Sequence, residues 1–372
     1  MARRRVPVAI GWLDRLAAGA PVAVFAAVGR DAIERVEDLS LDSRIVWVAS
    51  PRQADVLLVA GKVRKQDGQA LRAVHDQIPA ARKTLWWGSE PFEELVEPTV
   101  LPLADDASPH VLKLRASHAK SEPDLLPDAP PNPWRGVGPN GQGGKGMMGG
   151  VPYGRPMAMT DEDGRDGLQL DQTTVQIGPY LQTWPCGLVL ELVLQGDVVQ
   201  RARVVRTPYG PTEGTVEDVS SRLRSAARLL VLLQLDGLAE RCLRAAAAHG
   251  RDQTVDMAAL QVAVRRSGAF AAMAVGLGAC RLESAETDLR SRLQALLGDD
   301  AEQPRGATTV PKPKPKPRLS GLLMGLEWNE AMLVVNSFTP HQLHGMAPRE
   351  KAADEDGDDG PNGEHAVMEH AH

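Results

Sequence analysis

The residues of this 372-residue chain whose types and spacing could do chemistry fall into four groups. The first is GVGPNGQGGKGMMGG, residues 136–150. Gly136, Gly138 and Gly141 satisfy G-x-G-x-x-G, a spacing that binds a pyrophosphate when a strand precedes it and a helix follows. Prolines precede it here and more glycines follow, so the frame is missing. Gly144-Lys145 resembles a Walker A loop, yet Pro139 stands where the first glycine belongs and Gly146 where Ser or Thr would hold magnesium. The run reads as a flexible connector. The second group is the acidic stretch from Asp161. Its fifth position is Arg165 and its twelfth Gln172, where a calcium loop needs a bidentate Glu, so it reads as a solvated turn.

The third group is the three cysteines, Cys186, Cys242 and Cys280, with no C-x-x-C among them. Such spacing supplies no metal or cluster site and fits reduced thiols in a cytosolic protein. Cys242 and Cys280 lie in alanine-rich helical sequence as inert buried thiols, and His249 beside Gly250 marks a helix end. The fourth group comprises Arg52 and Asp55 in SPRQAD, Glu90 after Gly88-Ser89, Asp128 in the proline-rich corner, and Tyr180 and Trp184 beyond the glycine run.

Elements must position these groups. Residues 21–29, 44–49, 55–61 and 83–87 read as strands, the third a continuous apolar run suited to a parallel strand covered on both faces. Residues 30–39 form a helix with Glu34 and Glu37 on its wet side. Asp67 caps another that turns Leu71, Val74 and Ile78 inward. Strand and helix alternating at this spacing predict a doubly wound α/β domain, with ligands expected beyond the carboxyl ends of the strands, after Ala60 and Trp87. Residues 173–177, 188–194 and 197–205 alternate as a small antiparallel sheet turning at Gly196-Asp197. Residues 215–297 read as helical: Gly237 divides two helices, residues 256–280 make a further one and 283–297 an amphipathic last one.

The organisation expected is an α/β unit over 1–126, a proline- and glycine-rich connector over 127–171, a hairpin-plus-helix unit over 172–297, a linker over 298–318, an apolar docking segment over 319–346 and an acidic tail over 347–372. PKPKPKP in the linker spans about 20 Å as polyproline II. The segment beyond it either docks on a partner or returns to this chain's surface. The histidines of the tail, His365, His370 and His372, could bind metal only weakly.

The net charge of −6 opposes nucleic-acid binding, since phosphate contacts need clustered Lys and Arg and only Arg3–Arg5 form a basic run. Residues 17–28 are short and interrupted by Pro21, so no signal peptide is expected, and the apolar runs fall short of the roughly 20 residues that span a bilayer. Membrane association would then come through partners or a surface helix.

The run SPRQADVLLVAGKV, then ALRAVHDQIPAARK, then a strand ending in WGSEPF, resembles the small, cluster-bearing subunit (20 kDa type) shared by respiratory complex I and the energy-converting nickel–iron hydrogenases. The resemblance covers residues 20–133 and implies a flavodoxin-like fold. It also implies a cluster whose ligands are absent here. Glu90 stands where a cysteine would follow Gly-Ser, Ala129 stands in the middle of what would be P-G-C-P-P, and no cysteine follows the first strand. Carboxylate and methyl groups cannot replace four thiolates, so no cofactor is expected.

Gly178-Pro179 followed by Gly187–Val199 resembles the start of the large subunit (49 kDa type). That subunit carries nickel–iron in hydrogenases and walls the quinone cavity in complex I. The histidines of its loop are replaced here by Tyr180, Leu181, Trp184 and Cys186.

These resemblances imply a fused, cofactor-free subunit of a complex I-like or hydrogenase-related assembly. It would lie peripherally at the cytoplasmic face of the membrane, with antiporter-like ion-translocating subunits as partners. Arg52, Asp55, Glu90 and Asp128 are then candidates to carry ions or protons near the former cluster position. The alternative is a quinone-reactive subunit fed electrons by a partner, with Tyr180, Trp184 and the SPRQAD loop lining the pocket. A dinucleotide enzyme unrelated to respiration would need the phosphate loop that the sequence lacks.

Overall fold

A computed structural model describes residues 20–79, 82–92, 99–116, 160–163, 169–210, 218–282, 285–298 and 317–346. Asp128, Ala129, the glycine run, all of PKPKPKP but its last proline, and the acidic tail lie outside them.

Strands β1 (Val22–Val28), β2 (Ile45–Trp47), β3 (Val56–Ala60), β4 (Lys83–Trp87) and β5 (Thr99–Leu101) form a parallel sheet in the order β2-β1-β3-β4-β5. Every residue of β3 is buried, as a central strand covered on both faces requires. Because side chains alternate along a strand, the sheet builds two cores. Val24, Leu58 and Leu85 meet Val36 and Leu39 of helix α1 (Ile33–Leu39) and Val111 of α3 (Ser108–Ala116). Phe25, Leu57, Val59 and Trp86 face the other way, against Leu71 of α2 (Gly68–Gln77) and Ile78 just beyond it. Each fully buried leucine here contributes about 1.5–3 kcal/mol relative to exposure.

The second unit begins with an antiparallel meander of β6 (Thr160–Asp163), β7 (Gln169–Ile177), β8 (Val189–Gln195) and β9 (Val198–Arg206). Gly196 has φ +61° at the expected β8–β9 turn. Helices α4 (Val219–Leu232), α5 (Asp236–His249), α6 (Met257–Arg266), α7 (Ala269–Ala272) and α8 (Leu289–Leu296) pack beside the meander, with a hairpin of β10 (Cys280–Leu282) and β11 (Ala285–Thr287) between the last two. Asp218 and Asp256 cap α4 and α6 by accepting the Ser221 and Ala259 amides.

Helices α9 (Leu319–Leu323), α10 (Trp328–Asn336) and α11 (Pro340–Met346) complete this core, where Leu319, Leu323, Val334, Phe338 and Leu343 are buried. The apolar segment past the linker thus returns to its own chain. The Glu330 carboxylate accepts from the Glu327 amide at the start of α10, and β9 is tied to the turn before α10 by the Val199 N–H, which donates to the Leu326 carbonyl at 2.9 Å.

The structure revises several local expectations. Glu37 is 9% exposed, not on a wet face, because arginines of the second unit reach it. Asp67 occupies an N-cap position without making a capping bond, its carboxylate instead turned toward Arg206. Thr160–Asp163 pair with β7 as a strand where a solvated turn was expected. The helix expected over 256–280 stops in two pieces by Ala272, and Cys280 sits on a strand beside Arg292. Residues 285–287 are likewise strand, and the break before α5 falls at Gln234 (φ +58°), leaving Gly237 inside the helix. Strand β5 and helix α3 were not anticipated.

Candidate functional site

The chain between β7 and β8 leaves the second unit and inserts into the α/β unit. Gly178 has φ +100° and precedes Pro179 through a cis peptide, and a Cβ there would lie 2.2 Å from the Leu188 carbonyl oxygen. Only glycine fits so tight a crossing. Tyr180 is delivered by it into the α2-side core, against Phe25, Leu57, Leu71 and Trp86. Trp184 packs in the second unit's core and donates its indole N–H to the Leu188 carbonyl at 2.8 Å. One short loop therefore plants an aromatic side chain in each unit.

Two polar anchors flank this loop. In the first, Arg64 donates to the carbonyls of Gly187, Thr207 and Pro208 at 3.3, 2.9 and 3.4 Å and stacks 4.3 Å from the Tyr209 ring, which Arg30 approaches at 5.6 Å. Arg206 reaches back to the Gln66 carbonyl and to the fully buried Asp67 carboxylate at 3.0 Å. In the second, Arg224 and Arg228 meet Glu37 at 3.4 and 2.5 Å, and Arg224 also pairs with Asp38 at 2.7 Å. Removing one member of so buried a network leaves the others uncompensated.

Between the loop, β1, α1, α4 and α5 lies a cavity of about 340 Å³. Tyr180 and Trp184 line it with Val28, Val36, Val231 and Leu243, and its polar groups include Thr183, Gln182, Ser40 and the Glu37–Arg228 pair. An apolar chamber with a few convergent polar groups, set between two packed units, is the usual form of a small-molecule site. Cys186 stands on its wall with burial pushing its thiol up to about 12, so it is held as a neutral thiol.

The sequence-derived candidates separate. Tyr180 and Trp184 meet at the cavity. Arg52, exposed in the turn Pro51–Gln53, and Asp55, whose carboxylate accepts the Ala23 amide at 3.0 Å, stand at the amino end of β3. Glu90 is exposed beyond the carboxyl end of β4, the other end of the same parallel pair. The three were expected together near one former cluster position; the register keeps them a strand length apart, and the SPRQAD loop does not line the cavity.

The residues that join the units, namely Glu37, Arg64, Asp67, Arg206, Tyr209, Arg224 and Arg228, carried no local motif. Asp67 resembled a cap, and Glu37 a surface residue.

The carboxyl ends of β1 and β3 are where the family resemblance would put an iron–sulfur cluster. There Gly29 and Gly61 hold the loops so close that a Cβ would lie 2.5 Å from the Lys62 oxygen or 2.2 Å from the Arg30 oxygen, and Arg30 and Lys62 bridge. The side chains at hand are Arg30, Lys62, Ser89 and Glu90. The cysteines lie elsewhere, at the seam, in the helical core and on β10. This donor set does not fit a four-thiolate cluster. Among the described residues no group of three or more His, Cys, Asp or Glu side chains is placed to hold a metal, and no helix is long and apolar enough to cross a membrane.

No protein-family model matches the chain. A stretch of 45 residues is 49% identical to the B subunit of the NADH-quinone oxidoreductase of Desulfovibrio desulfuricans (strain ATCC 27774 / DSM 6949 / MB), which is 12% of this chain and 25% of that protein. The chain thus spans about a quarter of the curated relative that it matches.

Proposed function

We propose that this chain is a cofactor-free subunit of a complex I-like assembly, in which a small-subunit-like α/β unit and a large-subunit-like unit are fused and locked along one seam. The observation that carries this reading is the Gly178–Gly187 loop with Tyr180 buried in the α/β core, joined to the short but close similarity to an NADH-quinone oxidoreductase component. Two units that interlock through buried arginine pairs are mechanically coupled, which suits transmission of a conformational change between neighbours. The strand order 2-1-3-4-5 supports reading the first unit as flavodoxin-like. The absence of suitable ligands at the carboxyl ends of β1, β3 and β4 supports a structural or coupling role over electron transfer. Partners on this reading are other complex I-like subunits, with antiporter-like membrane subunits among them, at the inner face of the cell membrane. Capture of the tagged full chain from gently solubilised membranes tests it: such subunits should co-purify, and a chain recovered alone would refute it.

A second reading has its own observation. The cavity lined by Tyr180 and Trp184 supports a quinone-binding subunit supplied with electrons by a partner. Its test is binding of a short-chain quinone to the purified chain, read by quenching of the tryptophans. Saturable binding that is weakened in Leu243→Trp, which fills the cavity, supports this reading, and no binding removes it.

A further inference from the structure

Beside the cavity the first anchor holds an unusual set of atoms. Asp67 is 0% exposed and Tyr180 is 7% exposed. Arg206 comes within 3.0 Å of Asp67, close enough for an ion pair, yet neither Asp67 oxygen receives an aligned hydrogen bond, and the Tyr180 hydroxyl and Arg206 Nε also have no hydrogen-bond partner in the protein. Buried polar atoms are nearly always satisfied, so these four atoms and the Tyr209 hydroxyl beside them, five atoms on four side chains, call for something the pairing leaves open. The second cation, Arg64, is spent on three backbone carbonyls and the Tyr209 ring. The charged and titratable groups facing Asp67 are therefore Arg206 from β9, Arg64 from the loop before α2, Tyr180 from the β7–β8 loop and Tyr209 beyond β9. Cys186 and Arg30 stand behind Tyr209.

We propose that Asp67, Arg206 and Tyr180 form a proton-binding site in the seam, whose occupancy sets how tightly the second unit closes on the first. With the proton bound, the neutral carboxyl gains an O–H donor, and the Arg206 cation, 20% exposed, keeps its bond to the Gln66 carbonyl and its reach to solvent. With it released, the carboxylate depends on the poorly aimed Arg206 guanidinium and the field of Arg64, which is spent elsewhere, and the seam loosens to admit water. Burial pushes the Asp67 carboxyl up from its ordinary value, with Arg206 and then Arg64 opposing. Because the folded-state value is the higher, the native seam binds the proton more tightly than the unfolded chain. The stabilisation is complete below the ordinary carboxylate range and is lost as pH rises through the raised value. Tyr180 also lines the cavity, so proton occupancy and cavity shape share one side chain. The inference does not depend on the chain's place in an assembly.

The test is hydrogen exchange of the full chain across about pH 4 to about pH 9, corrected for intrinsic exchange, read at residues 178–188 and 207–210. Protection in the wild type should fall with rising pH, about tenfold for each unit by which the carboxyl is displaced. Asp67→Asn should flatten the profile, and Tyr180→Phe should shift its midpoint. Infrared spectra of the wild type supply a reading that needs no variant: a buried neutral carboxyl band, sensitive to ¹³C-aspartate labelling, should titrate with the same midpoint. A flat wild-type exchange profile, or an Asp67→Asn profile like the wild type's, overturns the proposal, as does an infrared titration confined to the ordinary carboxylate range.

Discussion

At the scale of single residues, the seam is governed by charges that lie far apart in sequence. Glu37 answers two arginines at once, and its replacement by alanine leaves Arg228 without its carboxylate and Arg224 with Asp38 alone. We expect Glu37→Ala to lower unfolding stability by about 3–5 kcal/mol in denaturant titration. Glu191, which pairs with Arg203 at 2.9 Å on the surface of β8 and β9, serves as the contrast, and Glu191→Ala should leave the denaturation midpoint nearly unchanged. Thiol chemistry gives an independent check. Cys242 is 0% exposed and its thiol is pushed up to about 12 by burial, so alkylating reagents should label it only on unfolding. The folded value exceeds the ordinary 9.0, so its contribution to stability is intact below about pH 9 and is lost toward about 12. None of the seam charges was legible in the sequence. A lone Asp before a helix reads as a cap and a Glu in a short helix as solvent-facing, and the arginines that claim them are encoded more than a hundred residues later.

At the scale of elements, local pattern served well where one element's own residues decide its state. The all-apolar β3, the β8–β9 turn at Gly196, the inward Leu71 of α2 and Ile78 just beyond it all follow from periodicity and turn chemistry. It failed where tertiary partners decide. Residues 273–282 and 285–287 leave the helix because Arg292, 5% exposed, gathers Gly278, Thr287 and Ser337 and lies 4.3 Å from the Phe338 ring, fixing the β10–β11 pair against the C-terminal helices. A sequence window over those residues holds no sign of Phe338. Arg292→Ala should therefore destabilise the hairpin, α8 and α10 together, lowering stability by about 2–4 kcal/mol and raising hydrogen exchange in all three. The β7–β8 loop carries a sharper demand. Alanine at Gly178 must accept φ +100° with its Cβ 2.2 Å from a backbone oxygen and 2.7 Å from the Trp184 indole nitrogen. Gly178→Ala should cost at least about 1–3 kcal/mol and displace both Tyr180 and Trp184 from the cavity wall, read as a shift in tryptophan emission.

At the scale of the whole molecule, the parallel sheet and the helical unit are joined by a loop and two arginine anchors, with a cavity between them beside the second anchor. The C-terminal helices, expected either on a partner or on this chain, fill the second unit's own core, so ending the chain before Leu319 would uncover the faces of α4 and β9 on which they pack. A likeness to the smaller of the two subunits was legible in local runs of sequence, whereas that to the larger, on Gly178-Pro179, belongs to the proposal. The way the units lock was not legible, since it depends on pairs that only the fold brings together. The proposed role rests on that lock, and it is tested most directly by capturing the tagged full chain from gently solubilised membranes, alongside an Arg64→Ala, Arg206→Ala variant that opens the first anchor. The account predicts that complex I-like membrane subunits co-purify with the wild type, with no iron bound to the chain itself, and that the variant loses them. Recovery of the wild type without such partners, or of a chain that carries its own cluster, would contradict it.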